Sequence, residues 1–187
     1  MSRYICLIIS AATLCMTNPA IADHHESAST ESFQQLGKLL VGRWRSDVKF
    51  ISDWPGEKEG RGAEVHGFAE FSWKADHHLI ARVESVGQNS GYWSIYRDPV
   101  RKKIRIIIQG TAGGPIEADM WPKSPNTFGW KITGGGQADG KALTGSGEYV
   151  FSEDGKKLTM SGTVKLDGKQ LDPYKDVYHR LSPPSQK

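Results

Sequence analysis

Residues 37–50 read GKLLVGRWRSDVKF, a short amphipathic run that ends in Gly42-Arg43-Trp44 and passes at once into strand-like alternation. Upstream, Phe33, Leu36, Leu39 and Leu40 recur at spacings that fit one helical face. Ser32 stands three residues before Gln35, a capping-box arrangement that marks where such a helix starts. This is the one convincing helix in the chain, and it is short.

Downstream the period changes from 3.6 to two. In RGAEVHGFAEFSW (61–73), Ala63, Val65, Gly67, Ala69, Phe71 and Trp73 share one face; Glu64, His66, Phe68, Glu70 and Ser72 share the other. Similar runs follow at 79–86, 91–97, 103–109, 115–121, 127–133, 143–151, 157–166 and 174–181. With 41–52 they make ten expected strands. Asp-Gly pairs at Asp139, Asp154 and Asp167 punctuate the last of them, and Asp-Gly favours tight hairpins because Gly accepts positive φ freely. Ten short meandering strands with a single helix must close or stack, since open edges invite aggregation. The expected fold is all-β: an antiparallel up-and-down barrel of about ten strands with a short N-terminal helix.

The ends of the chain read differently. Arg3, the apolar run ICLIISAATLCM and small residues at Ala20 and Ala22 have the three parts of a secretory signal, with cleavage expected after Ala22. A membrane span needs roughly 20 apolar residues, and Asn18-Pro19 comes too early for one. The expected organisation is therefore a signal peptide (1–22), a polar arm (23–31), a barrel domain (32–182) and a tail (183–187), in a protein of the periplasm or the secreted fraction. Cleavage removes Cys6 and Cys15, which leaves no thiol for a disulfide, a zinc site or a nucleophile. It also removes Arg3, so 23 basic residues face 21 acidic ones, too balanced to argue for a nucleic-acid partner. Oligomeric state is not legible from this composition.

Gly42-Arg43-Trp44 at the entry to the first strand, with Arg180 on the last, is similar to the calycins, the lipocalin and fatty-acid-binding-protein superfamily. The resemblance implies that Arg180 lies across the Trp44 indole at the closed end of the barrel, where Trp buries a large area and a guanidinium stacks on its face. Gly42, Trp44 and Arg180 are then structural. LVGRW (40–44) and GYWSIYRD (91–98) also resemble the L-x-G-x-W opening and the G-Y-x-x-Y-x-D-like strand of an uncharacterised bacterial family of exported lipocalin-like domains. The likeness covers about residues 36–181. It departs from true lipocalins in lacking their disulfides and a clear Thr-Asp-Tyr turn. It departs from heme-binding barrels too, because the late His179 does not align with their proximal ligand.

A barrel of this size is either packed inside or open to one small ligand. By alternation Trp73, Tyr92, Tyr96, Trp121, Phe128 and Trp130 are candidates to line it, and a small hydrophobic or amphipathic molecule is the expected partner. His66, Glu70, Arg82 and Glu84 lie on the more polar strand faces. Facing inward, His66 and Arg82 would orient a ligand's polar end, or His66 with Glu84 would do acid–base work in an enzyme. Facing outward, they are cross-strand surface pairs, the reading favoured by the apolar set on the alternate faces. Glu117 and Asp119, two residues apart, read as a solvated face. No cofactor is expected for the barrel itself, with heme kept as a minor alternative. The start Asp23-His24-His25 would offer Cu(II) an amine, two amide nitrogens and an imidazole in one plane, a chemistry that suits an accessory copper protein.

Overall fold

The structure, a computed structural model, describes residues 27–54, 58–111 and 113–182. The signal-like segment, the Asp23-His24-His25 start and the tail 183–187 lie outside these residues. A single helix, α1 (Thr30–Leu40), precedes eleven strands: β1 (Gly42–Lys49), β2 (Glu64–Lys74), β3 (Leu79–Val86), β4 (Asn89–Asp98), β5 (Lys103–Gly110), β6 (Gly113–Ser124), β7 (Thr127–Gln137), β8 (Leu143–Phe151), β9 (Lys157–Leu166), β10 (Lys169–Gln170) and β11 (Tyr174–Ser182). Each of β1 to β9 pairs antiparallel with its successor, and β11 bonds to both β9 and β1, which closes a ten-stranded barrel. The two-residue β10 extends β9 as a small hairpin. All ten expected strands are present, within a few residues of their expected bounds.

The Asp-Gly turns act as their chemistry requires. Asp167 and Gly168 both have positive φ and join Leu166 to its partner Lys169, a two-residue hairpin of the kind that right-twisted strands prefer. Asp139 and Asp154 accept from the backbone N–H of Lys141 and Lys156, two residues on. The helix begins earlier than the sequence pattern indicates. Ser29 is the N-cap and its hydroxyl accepts from the Ser32 N–H, so Ser32 lies inside the first turn rather than capping it. The capping interaction selects the serine whose backbone is extended, and that serine is Ser29.

One end of the barrel is shut by α1. Phe33, Leu36 and Leu40 are buried in the same core as Trp44, Phe71, Ile80, Ile95, Ile104, Met120 and Phe128. Gly37 is where helix and sheet approach most closely: a Cβ there would overlap the Trp73 ring. Trp44 is fully buried, its Nε1 donates to the Leu40 carbonyl at 2.8 Å, and the Arg180 guanidinium lies 4.1 Å from its ring centre. Among the described residues no helix is long and apolar enough to cross a membrane.

Candidate functional site: a cavity on a carboxylate floor

The half of the barrel away from α1 holds a cavity of about 310 Å³. Its walls are mostly apolar: Val86, Ile106, Ile108, Ile116, Ile132, Leu143 and Val164, with Trp93 and Trp130. Phe50, Ile51 and Trp54, in the chain that leaves β1, complete the rim. Strand alternation produces this lining, since each wall residue has the inward parity of its strand. Trp130 has room because its neighbour across the barrel wall is Gly162, where a Cβ would come within 2.7 Å of the indole. The Trp130 ring meets Tyr174 edge-to-face, with centroids 6.1 Å apart.

The polar floor is built by β3 and β11. Alternation along β11 turns Tyr174, Asp176, Tyr178 and Arg180 inward, while on β3 it turns Arg82 and Glu84 inward. Arg82 is 0% exposed. One of its terminal nitrogens, Nη2, donates to Glu84 and, at 2.7 Å, to the Tyr178 hydroxyl; that hydroxyl lies 3.2 Å from the same Glu84 oxygen. The guanidinium is sandwiched by aromatic faces, 3.8 Å from the Trp93 centre and about 5 Å from those of Phe71 and Tyr178. Burial opposes the Arg82 charge, but Glu84 and the surrounding tyrosines outweigh it and hold its pKa above the ordinary value. Burial likewise pushes the hydroxyls of Tyr149, Tyr174 and Tyr178 up, so they remain neutral donors.

Asp176 is the least ordinary group here. It is 5% exposed, lines the cavity, and its Oδ1 has no hydrogen-bond partner. Burial and, next, the Glu84 charge raise its pKa to about 7; Arg82, the Tyr174 side chain and the Lys49 backbone oppose that rise. The folded value stands above the 3.8 of an ordinary Asp, so the protonated form stabilises the fold. That contribution is complete below about pH 4 and is lost as pH rises through about 7. Relative to an Asp176→Asn variant, the wild-type protein is therefore expected to lose stability between pH 5 and pH 8. Urea midpoints at the two pH values test this; equal shifts in both proteins would refute it.

The sequence candidates divide. Trp130 lines the cavity, and Arg82 lies beneath its floor. Phe128 and Trp73 point inward but pack at the closed end, against Phe151 and Phe33. Tyr92 and Tyr96 have the opposite parity to the buried Ile95, so they sit on the outer wall, and it is Trp93 between them that lines the cavity. Trp121 is outside as well, against Gly129 and 4.9 Å from the Lys103 ammonium. The group His66, Glu70, Arg82 and Glu84 does not share the one outward face expected of it. His66 and Glu70 face out while Arg82 and Glu84 face in, because β2 and β3 pair in a register that sets Phe71 opposite Arg82 and Ala69 opposite Glu84. The His66 side chain is 81% exposed and bonds Asp47 at 2.9 Å, with His179 3.3 Å from the same carboxylate. Neither histidine faces the cavity. Glu117 and Asp119 stand on the outer wall as expected, but they flank a buried Arg105 as ion pairs.

Asp176, Tyr149, Tyr174, Tyr178 and Trp93 were not singled out from the sequence. The signal that would have found three of them is the spacing Tyr174, Asp176, Tyr178, Arg180, which places them on the face of the expected inward Arg180.

Fold and site together define a closed antiparallel barrel with an apolar-walled cavity ending on buried carboxyl and phenol groups. Compared with known proteins, the chain matches no family model and no curated protein sequence.

Proposed function

We propose that this protein binds one small, partly apolar molecule in the mouth half of its barrel. The observation that carries the reading is the combination of a cavity of about 310 Å³, apolar walls and a few convergent polar groups at one end. That is the usual form of a small-molecule site. A barrel made only to be stable would fill this space, as this one does at its other end with Trp44, Phe71 and Met120. We propose further that the binding occurs outside the cytoplasm, on the signal-like pattern of residues 1–22, and that the barrel is of the calycin type. The stacking of Arg180 on Trp44 supports that likeness.

An acid–base reading on the same barrel draws support from Asp176, a carboxyl with a pKa of about 7 at a cavity wall, rather than from His66 on the outer wall. Binding is the stronger reading because no second group with an activated nucleophile's geometry adjoins Asp176 among the described residues.

The test is a titration with N-phenyl-1-naphthylamine, a neutral apolar fluorophore. Saturable enhancement with one site per chain is expected, together with a change in Trp fluorescence from Trp93 and Trp130. Val164→Trp, which fills the cavity from its wall, is expected to weaken the probe at least about tenfold. No saturable signal with the folded protein would overturn the binding reading.

A further inference from the structure

Resting on that binding reading, we propose that the cavity selects a ligand whose polar end is a protonated amine, which pairs with the Asp176 carboxyl between aromatic rings.

The first support is what an incoming head group meets. The side chains that border the polar end are Glu84, Asp176, Tyr149, Tyr174 and Tyr178: two carboxyls and three phenols. The one interior cation near them, Arg82, does not border the cavity. It is fully buried and covered by Trp93 at 3.8 Å; its Nη2 is engaged by Glu84 and Tyr178, while its Nε and Nη1 have no hydrogen-bond partner. An anionic head would therefore meet carboxyl groups before any positive charge. Lys49 contributes to the rim, but its charge acts on Asp172 outside, and towards Asp176 it presents its backbone.

The second support is an unmet acceptor. The Asp176 oxygen Oδ1 is buried without a donor, and an unpartnered buried acceptor is costly. An ammonium supplies three donors and a charge, which makes the resulting bond a charge-assisted one. Trp130 and Tyr174, already edge-to-face beside the floor, offer ring faces that attract a cation and accept an alkyl chain equally well.

The third support is charge balance. The groups facing Asp176 are Tyr174 and Tyr178 on its own strand, Arg82 and Glu84 from β3, Tyr149 from β8, and the non-titrating Met160 opposite it on β9. Arg82 neutralises one carboxylate, and burial together with the Glu84 charge leaves the second about half protonated at pH 7. A bound ammonium provides a counter-charge and drives Asp176 to ionise. Its proton leaves to solvent as the ion pair forms. Amine affinity should therefore rise with pH through about 7, up to the point where the amine itself loses its proton.

The experiment displaces N-phenyl-1-naphthylamine with three probes of equal chain length: octylamine, octan-1-ol and octanoate. At pH 8, octylamine is expected to compete at about tenfold lower concentration than either of the others, the size of one charge-assisted bond. At pH 6 the advantage shrinks. In Asp176→Asn, the ratio of octylamine to octanoate competition falls to about one. Octanoate competing as well as octylamine would overturn the amine inference while leaving the binding reading intact, as would probes that fail to displace a bound fluorophore. A fluorophore that never binds is a failure of the binding reading itself. A second readout needs no variant. Calorimetry of octylamine binding at pH 7, in two buffers of different ionisation enthalpy, should show about half a proton released per amine bound. No release would mean that the amine is held elsewhere.

Discussion

Trp44→Ala is expected to cost about 3–5 kcal/mol of folding stability, the range for removing a large aromatic side chain from a core. Trp44 is fully buried, and its loss does three things at once. It opens a void where β1 meets α1, it leaves the Leu40 carbonyl without the indole donor 2.8 Å away, and it uncovers one face of the Arg180 guanidinium. The last matters because Arg180 ties the closed end together. Its Nη1 and Nη2 donate to the carbonyls of Val41 and Leu39 at the end of α1, and its Nε donates to Gly155 in the β8–β9 turn. Partial burial already holds the Arg180 pKa below its ordinary value, so the guanidinium depends on these carbonyls and on the indole for compensation. Urea unfolding gives the stability difference, and amide exchange at residues 30–40 shows whether the helix detaches first. Trp44→Phe keeps most of the packing and loses the N–H bond, so it should cost closer to about 1 kcal/mol. If the two variants were equally mild, the helix would be held by Phe33 and Leu36 alone.

How much of this was legible beforehand depended on whether neighbours in sequence or neighbours in space carried the information. Strand existence was local. Alternation over 61–73 and the Asp-Gly pairs at 139, 154 and 167 fix period and turns within a dozen residues, and the strands lie where they were expected. Closure followed from the number of strands and from the absence of any cover for two open edges. Facing did not follow, because it depends on register with a partner strand. In LIARVESV the parity of Leu79, Ala81 and Val83 is the more apolar, yet Val83 is 60% exposed and the parity that carries Arg82 and Glu84 is inside. In GYWSIYR, two tyrosines outnumber one tryptophan, but Ile95 fixes which parity is buried, and it is that of Trp93. The floor was harder still. Arg82 and Tyr178 are 96 residues apart in the chain and touch only because β11 closes the barrel against β1. A buried arginine is read as a surface residue until the ring of groups that compensates it has been assembled.

That compensation predicts the second large effect. Arg82→Met keeps an unbranched side chain between Phe71 and Trp93 but removes the cation, leaving Glu84 and Asp176 in a low-dielectric interior without their counter-charge. The expected cost is about 3–5 kcal/mol near neutral pH, the range for breaking one side of a buried ion pair. The sign of its pH dependence follows from Asp176. Arg82 is the charge that restrains its pKa, so without Arg82 that pKa climbs further above about 7 and the carboxyl stays protonated to higher pH. Arg82→Met should therefore be least impaired in mild acid, where Asp176 carries no charge, and most impaired at alkaline pH. The double variant Arg82→Met with Glu84→Gln removes the stranded charge while keeping an acceptor for the Tyr178 hydroxyl, so it should recover most of the loss. Urea midpoints for both variants across pH 5 to pH 9 measure all of this. A double variant no more stable than the single one would show that Arg82 acts through its stacking on Trp93, Phe71 and Tyr178 rather than through its charge. With the charge in command, a cation buried behind the cavity wall holds down a carboxyl pKa that burial and the Glu84 charge push up.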